Sequence, residues 1–160
     1  MSDIIVYTDG SCTKCVKNKT LSGYGIHFPN KELKDVSRSF THLPLTNQRA
    51  ELYAIYKALK LITKHIKDFK TIHVYSDSEY SIKSLTKWII NWKKNDWKTA
   101  GKKPVLNQDI IKKIDCILQK YKNKISFTHV YSHTNKTDEH SLGNAQADKL
   151  ATGATSRQKN

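Results

Sequence analysis

The sequence predicts an α/β domain built on one mixed, five-stranded sheet that is flanked by helices. Three observations predict this fold class. The predicted elements run in the order of three strands, a helix, a strand, two helices, a strand and a final helix. The first three strands follow one another at hairpin distances, so they are expected to pair antiparallel. The two later strands are each preceded by helices, and right-handed crossovers of that kind add parallel strands to a sheet.

The three N-terminal strands come first. Residues 3–9 are apolar and β-branched and end at Asp9, which Gly10 follows, a pattern typical of a strand buried on both faces. Segments 23–28 and 34–42 predict the next two strands, with a Pro-Asn turn between them. Together these segments predict an antiparallel meander.

A change in hydrophobic period marks the first helix and the strand after it. Apolar residues recur every three to four positions at Leu52, Ile55, Leu59, Ile62 and Ile66. Thr46 or Asn47 is predicted to cap the start of this helix. Residues 70–77 return to a strand pattern that again ends at an aspartate.

The C-terminal half supplies two further helices, a strand and a short last helix. The second helix carries its apolar stripe at Ile82, Leu85, Ile89 and Trp92, and the third at Ile110, Ile114, Ile117 and Tyr121. Ser76 with Glu79 has capping-box spacing, and Asn107 is expected to cap the third helix. Residues 125–131 predict a strand and 144–151 a helix. We therefore expect one domain over residues 1–152 and a polar tail over 153–160.

Composition narrows the class of partner. The 160 residues hold 28 Lys and Arg against 14 Asp and Glu, a formal net charge of +14. Small domains usually carry a net charge of about 2–8 in magnitude, so this excess indicates a polyanion, nucleic acid before all others. A generally lysine-rich, solvated surface is the alternative. No apolar run reaches the ~20 residues of a membrane span, and three cysteines do not make a disulfide framework. We expect an intracellular, cytoplasmic protein.

The few acidic residues occupy informative positions. Asp9 and Asp77 end two strands that are expected to lie side by side, where ligand sites of α/β sheets are found. Glu51 is predicted on the inward edge of the first helix, and Asp148 on a small-residue face of the last. Taken singly, each has an ordinary interpretation as a turn, cap or surface acid. Two like charges 4 Å apart repel by about 4 kcal/mol at an effective dielectric of 20, so a cluster predicts a bound cation, Mg²⁺ or Mn²⁺.

A basic, aromatic segment separates the second and third helices. Residues 87–103 contain all three tryptophans and six lysines with one aspartate. Lysine suits contacts to phosphate, and aromatic rings pack on sugars and bases. Trp92 continues the apolar stripe and is expected in the core, whereas Trp97 lies beyond it. The segment predicts a nucleic-acid-binding protrusion.

These motifs together resemble those of the type 1 ribonuclease H family. The segments that carry the resemblance are 8–12 (Thr-Asp-Gly-Ser-Cys), 46–52 (Thr-Asn-Gln-Arg-Ala-Glu-Leu), 75–78 (Tyr-Ser-Asp-Ser), 132–133 (Ser-His), 147–148 (Ala-Asp) and 88–104. They follow the order of the family and extend over nearly the whole chain. The resemblance implies a ribonuclease H-like fold with a basic protrusion.

The resemblance also implies an activity and roles for individual residues. The activity is endonucleolytic hydrolysis of the RNA strand of an RNA–DNA hybrid by two divalent ions, Mg²⁺ or alternatively Mn²⁺, which leaves 5′-phosphate and 3′-hydroxyl ends. The implied catalytic and metal-binding residues are Asp9, Glu51, Asp77 and Asp148, with His133 assisting proton transfer or product release. The implied substrate contacts are Cys12, Asn47, Gln48, Ser78, Trp88, Lys93, Lys94, Trp97 and Lys98. A monomer is expected.

Some features depart from the family or leave alternatives open. Glu79 stands where many members have Gln, and the stretch between His133 and Asp148 is longer than in compact bacterial members. Cys12 and Cys15 form a C-x-x-C, but no helix follows as a redox site would need, and a zinc site lacks two ligands. The alternatives are a binding-only module, the ribonuclease H domain of a reverse transcriptase, and another nuclease that shares the fold.

Overall fold

The computed structural model, which describes residues 2–14 and 19–158, contains the predicted mixed sheet. Its five strands are β1 (Ser2–Lys14), β2 (Thr20–His27), β3 (Val36–Ser39), β4 (Phe69–Ser76) and β5 (Ile125–His129). They lie in the order β3-β2-β1-β4-β5. β1 pairs antiparallel with β2 and β2 antiparallel with β3, whereas β4 is parallel to both β1 and β5. The predicted fold class is confirmed.

The helices follow the predicted order, but the second predicted helix is divided. They are α1 (Asn47–His65), α2 (Glu79–Lys83), α3 (Ile89–Lys94), α4 (Gln108–Lys120) and α5 (Glu139–Arg157). The second predicted helix is one helical run in which a π-helical turn, Ser84–Trp88, separates α2 from α3. Within the described ranges, no helix combines the length and the apolar character that crossing a bilayer requires.

The main core lies between one face of the sheet and helices α1 and α4. Val6 and Val74 from the sheet are fully buried there, as are Leu52, Ile55, Leu59 and Ile62 of α1. Burying one such side chain contributes about 1.5–3 kcal/mol. The predicted stripe of α1 is confirmed up to Ile62, whereas Ile66 lies just beyond the helix as its C-terminal cap residue.

Helix α5 packs so closely on the opposite face that glycines are needed beneath it. A Cβ added at Gly25 would lie 2.3 Å from the carbonyl oxygen of Ala147, and one at Gly23 would lie 2.7 Å from Cβ of Ala154. Gly23 and Gly25 of β2 therefore let the backbone of α5 approach the sheet.

The last helix is longer at both ends than residues 144–151, and the expected polar tail from residue 153 is wrong as far as Arg157. Ala154 and Thr155 are buried on the sheet because small residues continue beyond Ala151. Arg157 donates a hydrogen bond of 2.8 Å to the carbonyl oxygen of Ser37. The predicted boundary at residue 152 falls inside a docked helix.

The helix caps agree only in part with the sequence pattern. Thr46 caps α1, and its Oγ1 accepts from the Arg49 amide at 3.1 Å, as predicted. Helix α2 is capped by Ser78, not by Ser76, because Ser78 Oγ accepts from the Ser81 amide at 3.1 Å. Asn107 precedes α4 with a φ of 65° and makes no side-chain cap bond, since its side chain instead donates to the Tyr80 hydroxyl at 2.9 Å.

Candidate active site

Three carboxylates meet where β1 and β4 run side by side. Thr8 pairs with Ser76 in the parallel ladder, so the next residues, Asp9 and Asp77, lie next to each other. Glu51 of α1 completes the group, and one carboxylate oxygen from each of the three lies within 4.8 Å of the others. The sequence places these three residues correctly at one edge of the sheet.

A glycine brings the start of α1 close enough to β1 for Glu51 to reach this group. A Cβ added at Gly10 would lie 2.4 Å from the backbone nitrogen of Glu51 and 2.6 Å from the carbonyl carbon of Ala50. No side chain fits in that gap. The Gly10 amide also donates to Asp9 Oδ1 at 2.9 Å, which orients the Asp9 carboxylate.

The three carboxylates are held in an electrostatically unfavourable arrangement. Burial, together with the charges of Asp77 and Glu51, raises the pKa of Asp9 to about 10. Burial, together with the charge of Asp77, likewise raises the pKa of Glu51 to about 7, although the nearby Ser78 side chain lowers it. Burial raises the pKa of Asp77 as well. Among the ion pairs of the described residues, none involves these carboxylates.

This donor set fits a divalent cation. It consists of carboxylate oxygens only, which are the ligands that Mg²⁺ and Mn²⁺ take in proteins, and it has neither the sulfur nor the imidazole typical of zinc sites. A cation would also offset the repulsion that raises the three pKa values. Asp9, Glu51 and Asp77 therefore form a candidate metal centre.

Asp148 and Asn144 approach the centre from α5. Asp148 is half-buried and lies outside the group of three, but its side chain is near enough to Asp9 to add to the raised pKa of Asp9, after burial and the neighbouring charges. Asn144, one turn earlier, donates from Nδ2 to Asp77 Oδ2 at 3.4 Å. Helix α5 thus supplies one carboxylate and one orienting amide.

His133 lies beside Asp148 in the loop before α5. Its side chain is exposed, and it lines a pocket of about 210 Å³ together with Asn144 and Asp148. Its φ of 52° is a left-handed conformation that bends the loop there. The structure therefore brings the predicted histidine to the α5 side of the carboxylate group.

The four predicted contacts near the carboxylates differ in accessibility. Asn47 and Gln48 are exposed at the start of α1. Cys12 is half-buried in β1, and its thiol lies 3.5 Å from the carbonyl oxygen of Leu45. Ser78 is buried, and its hydroxyl donates to Ser81 Oγ at 2.8 Å, so its side chain is engaged within the protein.

The predicted protrusion is present, and its three tryptophan rings pack against one another at tilted angles. The ring centroids of Trp88 and Trp92 are 6.0 Å apart, and those of Trp92 and Trp97 are 6.3 Å apart. Trp97 packs against the core, as Trp92 does, although it lies beyond the apolar stripe of the second predicted helix. The ring also lies 5.0 Å from the ammonium group of Lys112. Trp88 is the most exposed of the three at 36%.

The protrusion lysines are not equivalent. Lys93 Nζ lies 2.7 Å from a carboxylate oxygen of Asp115, so its charge is partly neutralised. Lys94 and Lys98 are exposed, and no ion pair among the described residues involves them. Lys94 and Lys98 should therefore attract a phosphate more strongly than Lys93 does.

Sequence reasoning missed the residues that anchor the start of α5. The Tyr7 hydroxyl lies 2.8 Å from His140 Nδ1, and the His140 ring stacks on Tyr75 at 4.5 Å. Gly143 sits directly on the Tyr7 ring, since an added Cβ would lie 2.4 Å from its Cζ. The sequence offered little signal for this contact, because Gly143 lies just before the predicted helix and Tyr7 lies in a distant strand.

Only one cysteine of the C-x-x-C pair lies among the described residues. Cys15 lies outside the described residues, whereas Cys12 and Cys116 are free thiols. The group of three carboxylates is the one cluster of metal-ligating side chains among residues 2–14 and 19–158. A zinc site that includes Cys12 and Cys116 is therefore not found in that part of the chain.

Removing one carboxylate charge should stabilise the metal-free protein. A carboxyl whose pKa is raised on folding destabilises the protein as the pH rises above its unfolded pKa near 4, because the unfolded state releases the proton while burial and repulsion oppose ionisation in the folded state. At pH 8 without divalent ions, Asp9→Asn should therefore raise the free energy of unfolding by about 2 kcal/mol, or the melting temperature by about 4–8 °C. Thermal unfolding of Asp9→Asn beside Asp68→Asn, an exposed control, checks this. A lower melting temperature for Asp9→Asn alone would contradict it.

Comparisons with known proteins agree with this geometry. The family model described as RNase H matches residues 1–156. The chain is 38% identical over 156 residues to Ribonuclease H of Clostridium botulinum, an alignment that covers 96% of each chain. It is 42% identical over 136 residues to "Probable ribonuclease H" of Acanthamoeba polyphaga mimivirus, with 84% of this chain and 58% of that relative covered. The chain thus spans little more than half the length of the mimivirus relative.

Solved structures give the same result at the level of the fold. The PFV RNase H domain superposes with a TM-score of 0.78 at 31% identity, covering 96% of this chain and 94% of that one. A foamy viral protease-reverse transcriptase, solved in complex with RNA/DNA hybrid, superposes with a TM-score of 0.77 at 25% identity, covering 95% of this chain and 20% of that one. Because the family model matches almost from end to end and the bacterial relative aligns over nearly its full length, the chain belongs to the ribonuclease H family.

Proposed function

We propose that this protein is an endonuclease that hydrolyses the RNA strand of RNA–DNA hybrids, giving 5′-phosphate and 3′-hydroxyl ends. One observation carries the proposal: the carboxylates of Asp9, Glu51 and Asp77 converge within 4.8 Å in a chain of the ribonuclease H family. A module that only binds hybrids has no need of buried carboxylates that repel one another and repel phosphate.

The residues that would hold the metal are Asp9, Glu51 and Asp77, with Asp148 at the edge of the group. Their oxygen-only chemistry supports Mg²⁺, or Mn²⁺, and two ions with substrate bound are proposed. When bound, such ions lower the pKa of the attacking water and neutralise charge on the leaving oxygen of the phosphodiester.

The remaining groups of the site orient the carboxylates or transfer a proton. The Gly10 amide fixes the Asp9 carboxylate, and Asn144 orients Asp77 by its 3.4 Å hydrogen bond. His133, exposed beside Asp148, is placed to deliver a proton to the 3′ oxygen that leaves, because its loop faces the same pocket. No nucleophilic side chain is needed, since water attacks the phosphorus atom.

Substrate contacts are proposed on both sides of the carboxylates. Asn47 and Gln48 are exposed at the start of α1, where short polar side chains suit the 2′-hydroxyls of a shallow minor groove. The foamy viral neighbour solved with RNA/DNA hybrid supports the same partner here. Cys12 lies three residues beyond Asp9 on β1, and Ser78 is left to contribute through its backbone, because its hydroxyl is engaged. The monomeric state, the cytoplasmic location and the preferred ion stay predictions.

The direct test compares labelled duplexes with and without metal. RNA–DNA hybrid, duplex RNA and duplex DNA are each incubated with the protein in Mg²⁺ and in chelator. We expect only the hybrid to be cut, only in its RNA strand and only with Mg²⁺. Cleavage that persists in chelator, or equal cleavage of duplex DNA, would overturn the proposal.

His133 should influence turnover more than binding. A general acid contributes about 10²–10⁴-fold, and His133→Ala is expected to lower kcat by about 10²-fold with little change in KM. Steady-state cleavage of the hybrid measures both constants. His65→Ala, an exposed histidine at the far end of α1, is the control and should leave kcat unchanged. Equal kcat values for both variants would refute the role of His133.

The lysines of the protrusion should contribute to hybrid binding through their charge. Changing Lys94 and Lys98 together to Gln removes two phosphate contacts, so the slope of log affinity against log salt should become shallower by about 2. Lys93→Gln should change the slope less, since Asp115 already neutralises part of its charge. Hybrid binding in chelator, measured at several salt concentrations, gives both slopes. A larger effect from Lys93 than from the pair would contradict this interpretation.

A further inference from the structure

A basic groove lies between the outer faces of α1 and α4, away from the carboxylates. Its volume is about 540 Å³. Four lysines and two tyrosines line it: Lys60, Lys64, Lys113, Lys120, Tyr56 and Tyr121. All four lysines are exposed, and no aspartate or glutamate of residues 2–14 and 19–158 lines the groove. The groove is therefore a concave surface of one sign of charge, which attracts anions.

The lysines of the two helices converge on aromatic rings. Lys60 Nζ of α1 lies 5.6 Å from the centre of the Tyr56 ring, and Lys113 Nζ of α4 lies 5.8 Å from the same ring. Lys120 Nζ lies 5.6 Å from the Tyr121 ring. Like charges that converge on one ring without a carboxylate between them repel, and a bound anion would relieve that repulsion.

The groove begins near the carboxylate end of the molecule and runs away from it. Arg49 of α1 binds Asp109 of α4 through two hydrogen bonds of 2.8 and 2.9 Å, so the two helices start together. Tyr56 is five residues beyond Glu51, or about 7.5 Å along the helix axis. Lys64 lies about 12 Å further, a distance that about four stacked nucleotides of one strand would cover.

Helix α4 connects the groove to the protrusion. Lys112 lies 5.0 Å over the Trp97 ring of the protrusion, while the next residue, Lys113, reaches Tyr56 in the groove. Asp115, which lies between Lys113 and Lys120 in sequence, is paired with Lys93 of α3. Adjacent lysines of α4 thus link the protrusion to the groove.

We propose that the groove between α1 and α4 binds a single-stranded nucleic acid that extends from the hybrid beyond the protrusion. This inference rests on the proposed function. A positively charged groove interleaved with aromatic rings is the arrangement that binds single strands without sequence preference, since phosphates meet lysine and bases meet a ring. The link to the protrusion through α4 favours a strand of the same nucleic acid over an unrelated polyanion.

The test compares a blunt hybrid with the same hybrid carrying a single-stranded DNA tail of about 12 nucleotides. Binding is measured by fluorescence anisotropy in chelator, so that nothing is cut. The wild type should bind the tailed hybrid about tenfold more tightly than the blunt one. The groove variant, with Lys60→Gln, Lys64→Gln, Lys113→Gln and Lys120→Gln together, should lose that preference, and its salt slope for the tailed hybrid should fall by up to about 3.

A matched variant distinguishes binding in the groove from a general effect of positive charge. Lys19, Lys31, Lys34 and Lys149 are also exposed and lie outside both the groove and the protrusion. Changing these four to Gln removes the same charge and should leave the preference for the tail intact. Equal losses in both variants, a groove variant that retains the preference, or a wild type without any preference would each overturn the proposal.

Two further measurements distinguish a failure of the proposed function from a failure of the groove assignment. Cleavage of the blunt hybrid in Mg²⁺ should differ less than about twofold between the wild type and the groove variant, because no residue of the groove touches the carboxylates. A wild type that fails to cut refutes the proposed function, whatever the tail does. A photoreactive thymidine analogue in the tail should crosslink to the peptides that hold Tyr56 or Tyr121, and crosslinks confined to other surfaces would contradict the groove assignment.

Discussion

Replacing Asp9 with asparagine is expected to lower the rate of hybrid cleavage by ~10³-fold or more, because losing one charged ligand removes about 4 kcal/mol of transition-state stabilisation. Asp9 lies at the centre of the proposed mechanism, since Asp77, Glu51 and Asp148 all act on its carboxyl. Asparagine keeps the shape and the hydrogen bond from the Gly10 amide, so the fold should persist. Single-turnover cleavage in Mg²⁺ measures the effect.

Matched substitutions make this result specific. Glu51→Gln and Asp77→Asn should cause losses of similar size, because their oxygens share the 4.8 Å group with Asp9. Asp148→Asn should cause a smaller loss, since Asp148 lies outside that group. Asp68→Asn, an exposed acid elsewhere, should keep full activity. An active Asp9→Asn protein would contradict the assignment of the centre.

Adding one methyl group at Gly25 is expected to destabilise the protein by about 3 kcal/mol and to lower activity with it. The new Cβ would lie 2.3 Å from the Ala147 carbonyl oxygen and 2.7 Å from the Ala151 amide nitrogen, both backbone atoms of α5. Relief requires α5 to move off the sheet, and Asp148 and Asn144 would move with it. Urea unfolding and hybrid cleavage of Gly25→Ala measure both effects.

The chain offers a second glycine as a control. Gly153 lies in α5, the helix that packs over Gly25. A Cβ added at Gly153 would contact only Arg157 Nη1 at 3.6 Å and Ser37 Oγ at 4.0 Å. Gly153→Ala should therefore be neutral or stabilise the helix by about 1 kcal/mol. If Gly25→Ala were as stable as Gly153→Ala, the close approach of α5 would not be a requirement of the fold.

Elements that follow from local periodicity were predictable from the sequence. The stripe of α1 and the continuous apolar run of β1 each reflect one chain segment against a core, so their patterns suffice. Asp9 and Asp77 were predictable for a related reason, because parallel neighbouring strands bring their carboxyl ends to one edge. Glu51 was predictable from the face of α1 on which it lies.

Features that depend on distant contacts were not predictable in this way. Helix α5 continues to Arg157 because the small residues Ala154 and Thr155 find room on the sheet, and only the packing of α5 shows that this room exists. The contact between Tyr7 and His140 joins residues 133 positions apart. Asn107 resembles a cap in sequence, yet its side chain serves a tertiary contact instead.

The pairing of Lys93 is a similar case. The sequence shows six lysines in the protrusion and gives no reason to rank them. Only the fold places Asp115 of α4 at 2.7 Å from Lys93, which leaves Lys94 and Lys98 as the stronger phosphate contacts. The basic groove between α1 and α4 was likewise hidden, since its lysines lie on two helices that are far apart in sequence.

The central claim is that Asp9, Glu51 and Asp77 together hold the divalent ions that cleave RNA. Electron paramagnetic resonance of Mn²⁺, titrated into the protein with a hybrid whose RNA strand resists cleavage, measures bound ions without relying on turnover. We predict saturable binding by the wild type and its loss in Asp9→Asn. Mn²⁺ binding that is equal in the two proteins would contradict the claim.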